Sequence, residues 1–149
     1  MIRRATLSDV STIHQIERKC FRRRSFSKAH IIWLLKNPAS ATYLYLDRER
    51  AVAAIMLKRQ GEVARVVSIG VIPGYRRKGI GTELMAMAEE VMMEEGVRVM
   101  KLEVSVKNEG AIAFYRRLGY ELDGVLKGYY SWGEDAYVMR KALGPGRNV

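Results

Sequence analysis

Three groups of residues in this chain have types and spacings suited to chemistry. The first is Val71-Ile72-Pro73-Gly74-Tyr75-Arg76-Arg77-Lys78-Gly79-Ile80-Gly81-Thr82, where glycines flank three consecutive bases between an apolar run and a helical pattern. A helix start leaves main-chain N–H groups free, and the aligned peptide dipoles favour an anion there. Glycines let that backbone approach a phosphate closely, and Arg76, Arg77 and Lys78 add charge at the same place. The two common nucleotide loops are excluded by residue type. Ile80 stands where a Walker A loop needs lysine, and Leu84 where a dinucleotide fingerprint needs a small residue. The second group is Glu103, a carboxylate at a strand position between Leu102 and Val104, suited to accept a proton. The third is Tyr115, a phenol that with a pKa of about 10 is protonated at neutral pH and can donate. Spacing alone also fits plainer roles. Glu103 suits a surface carboxylate paired with Lys101 or Arg98, and Tyr115 a core residue between Ile112 and Leu118.

The elements that must position these residues follow from periodicity and punctuation. Thr6-Leu7-Ser8-Asp9 has capping-box form, with Asp in place of the usual Glu. Val10, Ile13, Ile16 and Cys20 follow at helical spacing and predict a first helix of about three turns. A second helix starts at Ser25 or Ser27, carries Ile31, Ile32, Leu34 and Leu35, and stops before Asn37-Pro38. Thr42–Leu46 and Ala51–Arg59 read as strands around a polar turn, and Val63–Val71 as a third, mostly apolar strand. From Gly79 to Glu95 the period becomes helical, with Ile80, Leu84, Met87 and Val91 on one side and Gly96 as the stop. Arg98–Val106 alternates, setting Leu102 and Val104 on one face and Lys101, Glu103 and Ser105 on the other. Asn108 caps a short helix through Ile112, Tyr115 and Leu118 that Gly119 closes. Two last strands, near Tyr120–Leu126 and Ala136–Arg140, are joined by a Gly- and Tyr-rich connection. The start reads as free of strand, with only a faint strand signal at Met1-Ile2-Arg3. The order fits one mixed α/β sheet with helices on both faces.

The 149 residues carry 26 Lys+Arg against 16 Asp+Glu, a net charge of +10. That length fits a single domain, assigned to residues 1–143, and residues 144–149 read as a flexible C-terminal tail. The longest aliphatic run, Ala51–Leu57, is far short of the roughly 20 residues of a membrane span. The polar start lacks the apolar stretch of a signal peptide. One cysteine, Cys20, and two histidines leave no intramolecular disulfide and no Cys/His cage, so no metal is expected. The expectation is a cytoplasmic domain without a membrane partner. The positive charge suits nucleic acid, ribosomes, acidic peptides or phosphate-rich cofactors, or equally a solvated basic surface. His14, His30, Trp33 and Cys20 each fall in an expected helix and are assigned to structure.

Arg76-x-x-Gly79-x-Gly81, after a strand ending in Val71-x-Pro73, resembles the acetyl-coenzyme A loop of the GNAT N-acetyltransferases. Two further stretches agree in order and spacing. Asn108-x-x-Ala111-x-x-x-Tyr115-x-x-x-Gly119-Tyr120 matches the family's pattern in that region. The run from Tyr129 to Met139 is similar to the tail of one branch. That branch holds the bacterial ribosomal-protein-alanine N-acetyltransferase and the catalytic subunits of archaeal and eukaryotic N-terminal acetyltransferases. The resemblance covers residues 1–143.

It implies the GNAT fold, a mixed twisted central sheet splayed between strands four and five, with acetyl-coenzyme A in the split. Main-chain groups of Ile69 and Val71 would hold the pantetheine arm, and amides around Arg77–Thr82 the pyrophosphate. Arg76, Lys78, Gly79, Gly81, Asn108 and Tyr115 belong to the same coenzyme set. By the same resemblance Glu103 is the proton acceptor, through water, Tyr115 the acid for the departing thiolate, and the Val71 amide the oxyanion donor. Phe26, Tyr129 and Tyr130 would line the peptide groove. The implied function is direct acetyl transfer, in a ternary complex, to the N-terminal α-amino group of a protein, a ribosomal protein among the candidates. Two other readings stay open: a lysine or small-amine acetyltransferase of the same fold, and a ribosome- or RNA-binding subunit without catalysis. The chain departs from its branch at Phe21-Arg22-Arg23-Arg24-Ser25-Phe26-Ser27, which lacks the usual proline and brings in three arginines. They suit an acidic residue of the substrate, a ribosome or RNA surface, or plain solvation.

Overall fold

These patterns resolve, in a computed structural model that describes residues 1–144, into seven strands and four α-helices. In chain order they are β1 (Ile2–Arg4), α1 (Val10–Phe21), α2 (Lys28–Lys36), β2 (Ser40–Asp47), β3 (Arg50–Gln60) and β4 (Val63–Val71). Then follow α3 (Ile80–Glu94), β5 (Val99–Ser105), α4 (Glu109–Arg117), β6 (Glu121–Leu126) and β7 (Ala136–Ala142). Of the expected tail, residues 145–149 lie outside the described residues. Among those described, no helix is long and apolar enough to cross a membrane.

The start does carry a strand, contrary to the expectation. Ile2, Arg3 and Arg4 of β1 pair antiparallel with Tyr45, Leu44 and Tyr43 of β2. Three residues with two arginines have almost no strand signal of their own; the pairing partner supplies it. Asp9 fixes the turn that follows. It accepts from Thr6 N at 2.8 Å, closing the capping box, and from both Nη atoms of Arg3 at 2.9 and 2.8 Å.

The sheet order is β1-β2-β3-β4-β5-β7-β6. Every neighbouring pair is antiparallel except β4 and β5. Those two pair only from Val63–Val99 to Val66–Leu102, after which both continue unpaired with each other. A bulge accompanies the parting. Met56 and Leu57 of β3 oppose Ser68 and Val66, leaving Val67 as the extra residue that bends β4 away. β5 meanwhile stays paired with β7 along its whole length. The expected splay between strands four and five is therefore present. Helices cover both faces, because successive strand residues point to opposite sides. A Cβ at Gly70 would meet Cys20 and Phe21 of α1, whereas Val71 lies beside Gly81 of α3. Ile13 and Ile16 of α1 and Leu84, Met85 and Ala88 of α3 are buried in the core against the sheet.

Candidate active site

One side of the split is the outer edge of β4. In an antiparallel ladder, opposed residues alternate between pairs that exchange hydrogen bonds and pairs whose main-chain groups point away. Ile72 N donates to Val52 O at 3.0 Å, so Gly70, opposite Ala54, is the next bonded position. Ile69 and Val71, opposite Ile55 and Ala53, therefore turn their N–H and C=O groups away from β3 and toward the split. The Val71 carbonyl has one donor there, Arg76 Nε at 2.7 Å. Gly70 serves packing: a Cβ would lie 2.8 Å from Cys20 Sγ, so its absence lets α1 close onto β4. Burial raises the Cys20 thiol pKa, and the Arg76 guanidinium beside it opposes the rise.

Beyond β4 the chain bends through Gly74 (φ 94°), Arg77 (φ 63°) and Gly79 (φ 85°) into α3. The glycines take this left-handed backbone freely, and Arg77 takes it against the usual preference of an L side chain. No side chain caps α3, and its first internal bond runs from Glu83 N to Gly79 O at 3.0 Å. The N–H groups of Ile80, Gly81 and Thr82 are left to an outside acceptor at the positive end of the helix dipole. A Cβ on Gly81 would press the Phe114 ring at 3.3 Å, so α4 packs directly on this turn. The three bases diverge: Arg76 folds back on Val71, while Lys78 Nζ lies 5.4 Å from the centre of the Tyr75 ring. Asn108 caps α4 by accepting from Ala111 N at 3.1 Å.

Glu103 lies where β5 has left β4, opposite Val138 of β7. Its Oε1 accepts from Arg65 Nε at 2.5 Å and from Tyr129 Oη at 3.3 Å. Arg65 Nη2 donates to Tyr129 Oη at 3.0 Å, closing a ring of three side chains. Glu103 Oε2 has no hydrogen-bond partner among the described residues. Burial alone would lower the Arg65 pKa, but Glu103 and Tyr129 outweigh it and raise it.

Tyr129 and Tyr130 meet edge to face at 5.0 Å, and Tyr130 stacks on Trp132 at 4.6 Å. The Arg24 guanidinium lies 4.0 Å over Trp132 and 3.8 Å from Glu134, joining the arginine turn to this hairpin. Burial, and then the Tyr129 phenol, push the Tyr130 pKa up to about 12. Tyr115 is buried against the rings of Phe114 at 5.3 Å and Tyr120 at 6.0 Å. That burial, with Tyr130 as a smaller cause, holds its proton far above the ordinary phenol range. Phe26 N donates to Glu17 Oε1 at 2.9 Å, and Ser68 Oγ donates to Glu17 Oε2 at 2.7 Å. Glu17, buried in α1, thus ties the loop before α2 to the bulged part of β4. Burial raises its pKa, opposed by the two hydrogen bonds.

An open β4 edge, an uncapped glycine-rich helix start and a carboxylate–phenol pair agree with the family resemblance, and comparison with known proteins decides it. Residues 10–120 match the model of the acetyltransferase (GNAT) family. The chain belongs to this family. Among its GNAT relatives, an N-alpha-acetyltransferase of Saccharolobus solfataricus is 46% identical over 88 residues, 58% of this chain. The chain spans about half, 51%, of that protein's length. A Bacillus subtilis protein, provisionally named a ribosomal-protein-bS18-alanine N-acetyltransferase, is 30% identical over 140 residues, 93% of this chain and 92% of that one. The crystal structure of the ribosomal-protein-S18-alanine N-acetyltransferase from Escherichia coli matches with a TM-score of 0.89 at 24% identity. It covers 100% of this chain and 97% of that one and shares the GNAT fold.

Within this GNAT fold, Glu103, Tyr129 and Tyr130 gather by hydrogen bond and ring contact, and Tyr130 in turn acts electrostatically on Tyr115, while Ile69, Val71 and the Gly79–Thr82 turn lie along β4 and the start of α3. Phe26 sits apart with its ring on His30 at 4.4 Å; the residue of its loop that touches the hairpin is Arg24. Glu103 pairs with Arg65 rather than with Lys101 or Arg98, because Lys101 is held by Asp123 at 3.6 Å. Two residues of the site have no place in the motifs. Arg65 does carry a signal: it is the one charge inside the apolar run Val63–Val71. Glu17 carries none, since its burial arises only once β4 and the α1–α2 loop are in place. Of the three arginines, Arg24 is committed inside the chain. Arg22 and Arg23 are exposed and border, with His14 and Arg18, an open hollow of about 440 Å³.

Proposed function

We propose that this chain transfers the acetyl group of acetyl-coenzyme A to the N-terminal α-amino group of a protein, in a ternary complex without a covalent acyl-enzyme. The observation that carries this reading is Glu103, with Oε2 unpartnered, linked through Tyr129 and Tyr130 to the buried phenol of Tyr115 where β4 and β5 part. The residues present fit the coenzyme. The main chain of Ile69 and the N–H of Val71, without ladder partners, suit an amide-bearing pantetheine arm as an added strand would, while Arg76 Nε holds the Val71 carbonyl. The open N–H groups at Ile80, Gly81 and Thr82, with Arg77 and Lys78 beside them, suit a pyrophosphate. Arg76, Gly79, Asn108 and Tyr115 complete the set.

When bound, acetyl-coenzyme A supplies an acetyl group activated as a thioester. Glu103 accepts, at Oε2 directly or through one water, the proton that the acceptor nitrogen sheds as its bond to the acetyl carbon forms. Val71 N–H, turned to the split, donates to the oxygen on which charge develops. Tyr115 delivers its phenolic proton to the sulfur as the C–S bond breaks. The burial that raises the phenol pKa also disfavours a bare thiolate, so the transfer stays feasible. Tyr129 and Tyr130 border the acceptor, with Arg24 rather than Phe26 as the residue of the loop before α2 that reaches their hairpin. A ribosomal protein as that acceptor belongs to this proposal and draws support from the name of the Bacillus subtilis relative; a cytoplasmic place of action belongs to it as well.

The test is mass-spectrometric transfer from acetyl-coenzyme A into two peptide pools. One has free N-termini and blocked lysines, the other blocked N-termini and free lysines. Acetylation of the first pool is expected. Acetylation of the second alone would remove the N-terminal acceptor and leave the fold and coenzyme site standing.

A further inference from the structure

We infer that Arg65 makes this site bind the acceptor amine in its neutral form, and so favours an α-amino group over a lysine side chain at the binding step. The inference rests on the reading of Glu103 as proton acceptor. A glutamate standing alone would draw in an ammonium ion as its counter-ion. An ammonium has no lone pair with which to attack a thioester, so that complex would hold the substrate in its unreactive form.

Arg65 changes the charge of the site before any substrate enters. Its Nε is bonded to Glu103 Oε1 at 2.5 Å and its Nη2 to Tyr129 Oη at 3.0 Å, so the guanidinium leaves only by breaking both. The pair is neutral overall, and the Oε2 that remains is an acceptor rather than an uncompensated charge. An ammonium there meets the guanidinium's repulsion along with the carboxylate's attraction. A neutral amine meets neither and still finds a partner for its N–H. The surrounding groups do not restore a negative site. Lys101 pairs with Asp123, Glu134 with Ser105 and Arg24, and Glu17 is occupied by Phe26 N and Ser68. Tyr129 and Tyr130 keep their protons through neutral pH, since burial raises both.

Neutrality separates the two kinds of acceptor. With pKa values of about 8 for an α-amine and about 10.4 for lysine, roughly one in ten and one in 2,500 are neutral at pH 7. A site that excludes ammonium shows that ratio of roughly 250-fold in KM, whereas a site that binds ammonium shows it in kcat.

Steady-state kinetics between pH 6 and 8 test this, with one peptide bearing only a free N-terminus and another only a free lysine. For the wild type, kcat on the first peptide should stay flat. Its KM should climb nearly tenfold per unit as pH falls below the amine pKa. Arg65→Met, which removes the guanidinium from Glu103, should flatten KM, move the pH dependence into kcat, and bring the KM values of the two peptides at least tenfold closer. Arg65→Lys, which restores the charge, should recover the wild-type split between KM and kcat. A flat KM with a falling kcat in the wild type overturns the inference, and that result needs no variant to fold. So does an Arg65→Met enzyme with an unchanged ratio of KM values between the two peptides. The two histidines stand on α1 and α2. His30→Phe, which keeps a ring on Phe26, should leave the KM profile in place; its disappearance would assign the effect to His30 and overturn the role of Arg65. Acetylation of the lysine peptide alone would instead remove the N-terminal reading itself.

Discussion

Glu103 and Tyr115 are held by opposite means. Charge and hydrogen bonds fix Glu103, through Arg65 and Tyr129, whereas ring packing and burial fix Tyr115. Conservative variants should therefore separate chemistry from binding. Glu103→Gln keeps the side chain's shape but cannot take up the acceptor's proton. Tyr115→Phe keeps the rings against Phe114 and Tyr120 and removes only the hydroxyl. Each should lower kcat by roughly 10²- to 10⁴-fold, the range of a lost general acid or base. Coenzyme affinity, read by calorimetric titration with acetyl-coenzyme A, should stay within about threefold of the wild type for Glu103→Gln, which touches neither the β4 edge nor the start of α3, and should weaken modestly for Tyr115→Phe, whose hydroxyl also belongs to the coenzyme set. If Tyr115→Phe instead loses affinity while kcat holds, its hydroxyl binds the coenzyme and supplies no proton.

At the level of elements, the loop before α2 borders the acceptor only if it keeps its distance from β4, and Glu17 sets that distance by bonding both. Its folded-state pKa is raised by burial, so between the unfolded value and that raised value the folded chain holds the proton more tightly. Native stability from this group is thus greatest at low pH and is lost as pH rises through the window. Asp9, Glu134 and Asp135 are shifted down and act in the opposite sense, but they are common to wild type and variant and cancel in a difference. Glu17→Gln should accordingly gain stability relative to the wild type as pH is raised from 4 to 7.5, measured by urea unfolding; a difference constant with pH, or one shrinking as pH rises, would refute this. Glu17→Ala, leaving Phe26 N–H and Ser68 Oγ unpaired, should cost about 1–3 kcal/mol per group at neutral pH. Such long-range ties mark the limit of what a single chain's pattern discloses. The helix at 80–94, its Gly96 stop, the Asn108 cap and the Thr6–Asp9 box are legible because period and punctuation coincide within a few residues. β1 is not, because its strand character comes from β2. The bulge at Val67 is silent, lying in a run of valines with no turn residue to mark it. Glu103 and Tyr115 are proposed from motif resemblance, but Arg65 lies 38 residues from Glu103 in sequence, and only the short β4–β5 register brings them together.

For the molecule as a whole, the split leaves the sheet as two parts, β1 to β4 and β5 to β7, joined by four opposed residue pairs. A ligand in the split would bridge them, and the register of β4 says where its effect should appear. In the free protein the amides of Ile69 and Val71 have no ladder partner, while that of Gly70 between them is bonded to β3. Hydrogen exchange should therefore be faster at 69 and 71 than at 70. Adding coenzyme A at 100 times its dissociation constant should stabilise the fold by about 2.7 kcal/mol, provided it binds only the folded chain. For a chain of this size that is a rise in Tm of roughly 5–10 °C. The same addition should slow exchange at Ile69 and Val71 and at the open amides of Ile80, Gly81 and Thr82. Gly70 should change little, and the β2–β3 ladder, remote from the split, should follow only the global gain. Uniform slowing across all strands would mean that the ligand stabilises the fold without occupying the β4 edge. Slowing at the α3 turn with none at 69 and 71 would leave the pyrophosphate site and remove the strand-like seat for the pantetheine arm. The alternation of exchange rates along three consecutive residues is the signature that only a ligand lying along this edge can reverse.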